Sequence, residues 1–285
     1  MISSEIIRLY DEYTHKPLTR KHFITELIRL TGSMAAAMSI LPTLESNYEG
    51  LSTPASTNGL IEERVEWDVP NGKMKGYLTR PEVHKKYPGV IIIHENRGLN
   101  PHIEDVTRRA ALAGFIALAP DALSLTGGTP DDADVARQEI SGLDANINLS
   151  NFINAIKYLS ERTDCSGKTG CIGFCWGGYM ANQLAVHSPD LDAAVAFYGR
   201  QAAASDVAGI KAAIQLHYAE TDERVNAGID VYVNALKEHQ KNYEMYMYGG
   251  VGHAFHNDTS AARYNEEAAT LAWKRTISFL DKHLK

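Results

Sequence analysis

The stretch Thr169-Gly170-Cys171-Ile172-Gly173-Phe174-Cys175-Trp176-Gly177-Gly178 is an apolar run that ends in a glycine-framed cysteine and continues as a helical pattern. Its core, Gly173-x-Cys175-x-Gly177, has the form of a nucleophile elbow with sulfur in place of the hydroxyl. A nucleophile on a sharp strand-to-helix turn sits in a strained backbone conformation, where side chains two places either way would clash. Gly178 lets the helix press closely on the sheet. The thiol lies at a helix N-terminus, whose positive dipole end favours thiolate. The Trp176 amide is aimed at a developing oxyanion. An unpaired cysteine is ordinarily a small core residue, and Cys165, in a polar turn, and Cys171, inside the strand, read that way. The glycine frame sets Cys175 apart.

Working outward, short apolar runs alternate with longer amphipathic ones. Val90–Ile93, Phe115–Ala119, Thr169–Phe174, Ala193–Phe197, Ala213–His217 and Tyr243–Tyr248 read as strands. Ile103–Ala113, Asp144–Glu161, Gly178–His187, Ile229–Gln240 and about Ala262–Leu284 read as helices. Nearly continuous apolar strands are expected where helices cover both faces of a sheet. Alternation of this kind specifies a mostly parallel α/β sheet with right-handed crossovers and a ligand site at the strands' carboxyl ends. Before it, Ile61–Val69 and Lys73–Leu78 flank Pro70-Asn71-Gly72, whose Asn-Gly pair favours a tight hairpin.

An elbow nucleophile needs an acid and then a histidine, in that chain order. His217-Tyr-Ala-Glu-Thr-Asp222 leaves one strand and Tyr248-Gly-Gly-Val-Gly-His253-Ala-Phe-His-Asn257 leaves the next. Asp222 is the expected acid, with Glu220 and Glu223 as rivals, and His253 the expected base. His256 reads as a surface histidine or a pocket wall. No carboxylate or cysteine spacing completes a metal set around His253 and His256, so no metal is expected. The other nine histidines read mostly as residues of polar helices and loops that need no special role. After the first long strand, His94-Glu95-Asn96-Arg97-Gly98 supplies the second oxyanion loop, with the Asn96 amide as donor. Glu95 is an unusual acid beside a nucleophile. Tyr198, just past a strand end, reads as a pocket wall or a core tyrosine.

The chain has 285 residues, 44% hydrophobic and 22% charged, which excludes disorder and collagen-like designs. Lysine and arginine number 28 against 35 acids, a net of −7, so the cationic footprint of a nucleic-acid or anionic-membrane binder is missing. Three cysteines cannot build a disulfide framework. No uncharged apolar run reaches the ~20 residues of a membrane helix. Residues 1–59 read as an N-terminal helical extension and linker, the linker being Ser52–Gly59, and 60–285 as the catalytic domain. Phe23, Ile24, Leu27, Ile28 and Thr31 recur at helical spacing, which suits packing on the body or on a second copy as a homo-oligomer. Thr19-Arg20-Lys21-His22-Phe23-Ile24 resembles a twin-arginine export signal, but Glu26 and Arg29 interrupt its apolar part. A cytoplasmic location is expected, with export as the alternative.

The cysteine elbow, His94-Glu-Asn-Arg-Gly98, Ala119-Pro-Asp121, Gly252-His-Ala-Phe-His-Asn257 and Arg263-Tyr-Asn-Glu-Glu-Ala-Ala269 together resemble the dienelactone hydrolase (carboxymethylenebutenolidase-like) family over about Ile61–Lys285. The resemblance implies an α/β-hydrolase fold and a triad of Cys175, His253 and Asp222. It further implies cofactor-independent hydrolysis of a small ester or lactone through a thioester, with Glu95 holding the resting thiol. Two arginines that hold the substrate carboxylate in the prototype enzymes are replaced by Leu125 and Asn257, with Arg97 and Arg200 as candidate substitutes, so the dienelactone itself is not the expected substrate. The alternative function is a non-catalytic protein that uses the same cleft to bind a ligand or a partner.

Overall fold

The computed structural model describes residues 2–16, 18–47 and 55–285. Of the linker read from the sequence, Ser52, Thr53 and Pro54 lie outside the described residues. The body is one eight-stranded sheet. Its strands are β1 (Leu60–Val69), β2 (Gly72–Pro81), β3 (Tyr87–Ile93), β4 (Ile116–Pro120), β5 (Cys165–Phe174), β6 (Ala193–Phe197), β7 (Ala213–Ala219) and β8 (Tyr243–Tyr248). They lie in the order β1-β2-β4-β3-β5-β6-β7-β8. The hairpin β1–β2 and the pair β2–β4 are antiparallel, and every other pairing is parallel.

Val69 pairs with Gly72, so the hairpin turns on Pro70-Asn71 and not on Asn71-Gly72. Proline with its fixed φ suits the first of those two positions, and Gly72 takes the positive φ of 141° just after. β5 begins at Cys165, four residues before its apolar run, because Ser166, Gly167 and Lys168 remain exposed there while still extended. Cys165 is therefore a buried strand residue rather than part of a polar turn.

Ten helices are described. Three precede the sheet: α1 (Ser4–His15), α2 (Arg20–Thr31) and α3 (Met34–Leu44). The others are α4 (Pro101–Leu112), α5 (Ala133–Ser141), α6 (Ala145–Ser160), α7 (Trp176–His187), α8 (Glu223–Asn226), α9 (Ile229–Glu238) and α10 (Glu266–Leu284). One core joins α6, α7 and α9 to one sheet face through residues such as Phe152, Leu184 and Leu236. The other joins α4 and α10 through Val106, Phe279 and Leu280. Both faces are thus covered, as the unbroken apolar β3, β4 and β6 require.

Chain direction across the sheet reverses around β3, with β4 on one side and β5 on the other. The crevice outside the carboxyl ends of β3 and β5 is the place where such sheets bind ligands. Helices α1–α3 form a third layer with its own core of Ile6, Tyr10, Tyr13, Phe23, Leu27, Ala37 and Leu44. Tyr10, Tyr13, Phe23 and Leu27 are fully buried, and a side chain of that size contributes about 1.5–3 kcal/mol when removed from water. Gly32, at φ 81°, ends α2, and Ser33 caps α3 by accepting from Ala36 N at 3.1 Å. Among the described residues no single helix is long and apolar enough to cross a membrane, and the apolar pair α2–α3 is bent by 114°.

Candidate active site

β5 ends at Phe174 and α7 starts at Trp176, leaving Cys175 alone at the corner with φ 55° and ψ −109°. That conformation is costly for a residue with a Cβ and persists only where the surroundings fix it. Here they do. A Cβ on Gly173 would overlap the backbone of Gly177, and one on Gly177 would overlap the carbonyls of Ile93 and His94 at the end of β3. Cys175 N donates to Phe197 O at 3.0 Å, which ties the corner to β6. Trp176 is the first residue of α7, so its N–H has no acceptor within the helix and remains available to a developing negative charge.

His253 and Asp222 arrive from the ends of β8 and β7. Asp222 caps α8, accepting from Val225 N at 3.3 Å through Oδ1, while His253 Nδ1 contacts its Oδ2 at 2.5 Å. Both residues are buried, at 7% and 3% exposure. Burial works against the charged ring of His253, but the Asp222 carboxylate and the neighbouring Cys175 outweigh it and push its pKa up to about 10. Burial also opposes ionisation of Asp222, and His253 overcomes it to hold that carboxyl below the usual range. With Nδ1 committed to Asp222, Nε2 is left buried with no hydrogen-bond partner among the described residues. Ring nitrogens of His253 and His15 and the Cys175 sulfur all lie within 4.8 Å of one another. Of the rivals to Asp222, Glu220 accepts from Gly250 N at 2.7 Å and Glu223 is exposed, so neither reaches the ring.

The contact to the thiol that sequence reasoning missed is His15. Its Nε2 stands 3.2 Å from Cys175 Sγ, and its ring meets that of His253 edge-on at 4.5 Å between centroids. The expectation of no special role fails for this histidine, while His94, His102 and His217 are fully buried and hydrogen-bonded rather than surface residues. His256 is likewise neither at the surface nor in a pocket wall. It packs among Phe174, Phe197 and Trp273, and burial pushes its pKa down to about 3.

Glu95 does not hold the thiol. Its Oε2 accepts from Asn257 Nδ2 at 2.7 Å and its Oε1 from the Tyr198 hydroxyl at 3.4 Å. Asn257, standing where the resemblance has an arginine, is the residue that captures it. The Asn96 side chain donates to Thr14 O at 2.7 Å and so faces α1. Tyr198, in the positive-φ region at 37°, is buried and lies 5.0 Å from the His253 ring. Trp176 is half-buried and stacks on His94 at 5.2 Å. Arg97 is drawn to α1, donating to the Tyr10 hydroxyl at 2.8 Å.

A cleft of about 770 Å³ opens onto Cys175, with His15, Asn96, Trp176 and Tyr198 in its wall. Four cations, Lys16, Arg137, Arg200 and Arg224, line it, and among the described residues no aspartate or glutamate does. His15, Cys175 and His253 are also the trio nearest to a metal-ligand set. Two of its three members are rings with a nitrogen near one thiol, an arrangement able to move a proton.

A family model described as the dienelactone hydrolase family matches residues 74–284. A Saccharolobus solfataricus protein provisionally named carboxymethylenebutenolidase is 33% identical over 77% of this chain and 98% of its own length. A Bradyrhizobium protein, provisionally named 2-oxo-3-(5-oxofuran-2-ylidene)propanoate lactonase, is 33% identical over 75% of this chain and 92% of its own. A crystal structure from Klebsiella pneumoniae, provisionally assigned as a dienelactone hydrolase, superposes with a TM-score of 0.72 at 25% identity. It covers 79% of this chain and 99% of that one.

Proposed function

The chain belongs to the dienelactone hydrolase family, and from that premise we propose that it hydrolyses a small, negatively charged ester or lactone through a thioester on Cys175. His253 is the base and Asp222 its orienting acid. The observation that carries this is the unpartnered Nε2 of a histidine fixed by Asp222 and set near an elbow thiol.

The steps balance as follows. The Cys175 proton passes to His253 Nε2, and the sulfur electron pair attacks the carbonyl carbon. The oxyanion is met by the Trp176 and Asn96 amides. Collapse expels the alkoxide, which takes the proton from His253 and leaves the acyl group on sulfur. A water then gives a proton to His253 and attacks the thioester, releasing the acid and the thiolate, which is reprotonated.

The charge of the substrate follows from the cleft. Of the four cations, Lys16 is paired with Glu12 at 3.1 Å and Arg137 with Asp134 at 3.6 Å, so Arg200 and Arg224, in a wall with no acid among the described residues, are the groups that favour an anion. Arg200 and Arg224 occupy the role that Leu125 and Asn257 cannot fill. The Bradyrhizobium relative is named for a lactone that bears a propanoate. Intact-mass analysis after mixing with aryl esters and lactones, with and without a carboxylate, tests both parts. Acylation at Cys175, absent in Cys175→Ala and fastest for the charged substrates, is expected. Binding of the same compounds with no acyl adduct and no turnover would instead favour the non-catalytic alternative.

A further inference from the structure

We propose that His15, supplied by the N-terminal helix, is a further catalytic residue that accepts the Cys175 S–H hydrogen bond and keeps the nucleophile protonated in the resting protein. This deepens the reading of Cys175 as nucleophile and rests on it. The geometry fixes the direction of the bond. His15 Nδ1 lies 2.7 Å from the backbone carbonyl of Asp11 and 3.0 Å from Thr14 Oγ1, whose hydroxyl is itself donated to Asp11 O. A carbonyl can only accept, so Nδ1 carries the ring proton and Nε2 presents a lone pair. That lone pair faces Sγ at 3.2 Å. A thiol donates into it, whereas a thiolate would be repelled.

Second protonation of His15 is favoured by its bond to the Asp11 carbonyl but opposed more strongly by burial and by the positive groups around the ring. The Asp11 carboxylate on α1 is turned towards Arg263, at 3.3 Å. His253 and Arg263 approach from the C-terminal loop and Arg224 from α8. Burial first, and then these positive neighbours, hold the ring well below its usual 6.5. α1 is fastened just ahead of His15 by Asn96 to Thr14 O, Arg137 to Tyr13 O at 2.9 Å, and Arg97 to the Tyr10 hydroxyl.

His15 Nε2 is thus the acceptor in contact with Cys175, while His253 Nε2, nearby and unpartnered, accepts the proton only from its neutral ring. Transfer to His253 breaks S–H, forms N–H on that ring and leaves the electron pair on sulfur. His15 neither gains nor loses a proton in that step. It favours the S–H side, so the thiol rests unreactive until an incoming carbonyl competes for the sulfur.

The test is the pH profile of Cys175 alkylation by iodoacetamide in the full chain, read on the Cys175 peptide by mass spectrometry to separate it from Cys165 and Cys171. The parent protein is compared with His15→Ala and with His15→Phe, which fills the same space but cannot accept a hydrogen bond. Both variants should move the midpoint about one unit to lower pH and speed alkylation on its acid side roughly tenfold. A change only in the high-pH plateau would mean that His15 merely covers the sulfur, and a midpoint moved upward would mean that it supports the thiolate. Either result overturns the proposal. The profile needs no turnover, so failure of the hydrolase reading, seen as no acyl-Cys175, is distinguishable from failure here.

Discussion

Asp222→Asn is the substitution whose effect the geometry defines most closely. Asp222 uses Oδ1 to cap α8 at Val225 N and Oδ2 to accept from His253 Nδ1. An amide of the same shape has one acceptor and one donor. If its oxygen keeps the cap, its NH₂ must face Nδ1, which forces the ring proton onto Nε2. The nitrogen that should receive the thiol proton is then occupied. The charge that helps to hold the ring ionised up to about 10 is lost as well. Without that charge the imidazolium formed during the reaction loses its main electrostatic support. The equivalent change in serine triads lowers kcat about 10⁴-fold. A fall of roughly 10³ or more in single-turnover acylation is expected, with far-ultraviolet circular dichroism unchanged because the cap survives. Acylation within about tenfold of the parent would refute the assignment of Asp222 as the acid.

Two further outcomes follow from the same geometry. Gly177→Ala pushes a methyl into the Ile93 and His94 carbonyls, a conflict between backbones that side-chain rotation cannot relieve. It should cost at least about 3 kcal/mol, read as a lower urea midpoint, and a loss below about 1 kcal/mol would mean that the elbow is less tightly framed. The folded pKa of His253 lies above its ordinary value, so its pairing with Asp222 stabilises the fold fully below 6.5 and loses that contribution as pH rises to about 10. The thermal midpoint should fall across that window in the parent and much less in Asp222→Asn, and parallel curves would rule the pair out as its source.

The elbow was readable because its physics is local. Gly173 and Gly177 lie two places from the nucleophile, and the apolar strand and helical pattern flank them directly. Asp222 and His253 were readable because each closes a strand that enters the sheet in sequence order. What escaped was spatial. α5 has only Ala136 and Ile140 buried, too few apolar positions for a periodic signal. Cys165 belonged to a strand whose next three residues are exposed. Glu95 was separated from the thiol by Asn257, a contact across 162 positions. His15 stands 160 positions from Cys175, at a helix end before the stretch that resembles the family, and its neighbours in sequence give no hint of sulfur.

α1 lies outside the eight-stranded sheet, in a helical layer with a core of its own, yet it reaches the reactive sulfur. Peeling it away would leave the eight strands paired while removing one wall of the cleft and one of the two rings beside the sulfur. The reactivity of Cys175 is thereby coupled to how α1 is held, and any molecule that grips or displaces that helix gains leverage over the chemistry beneath it.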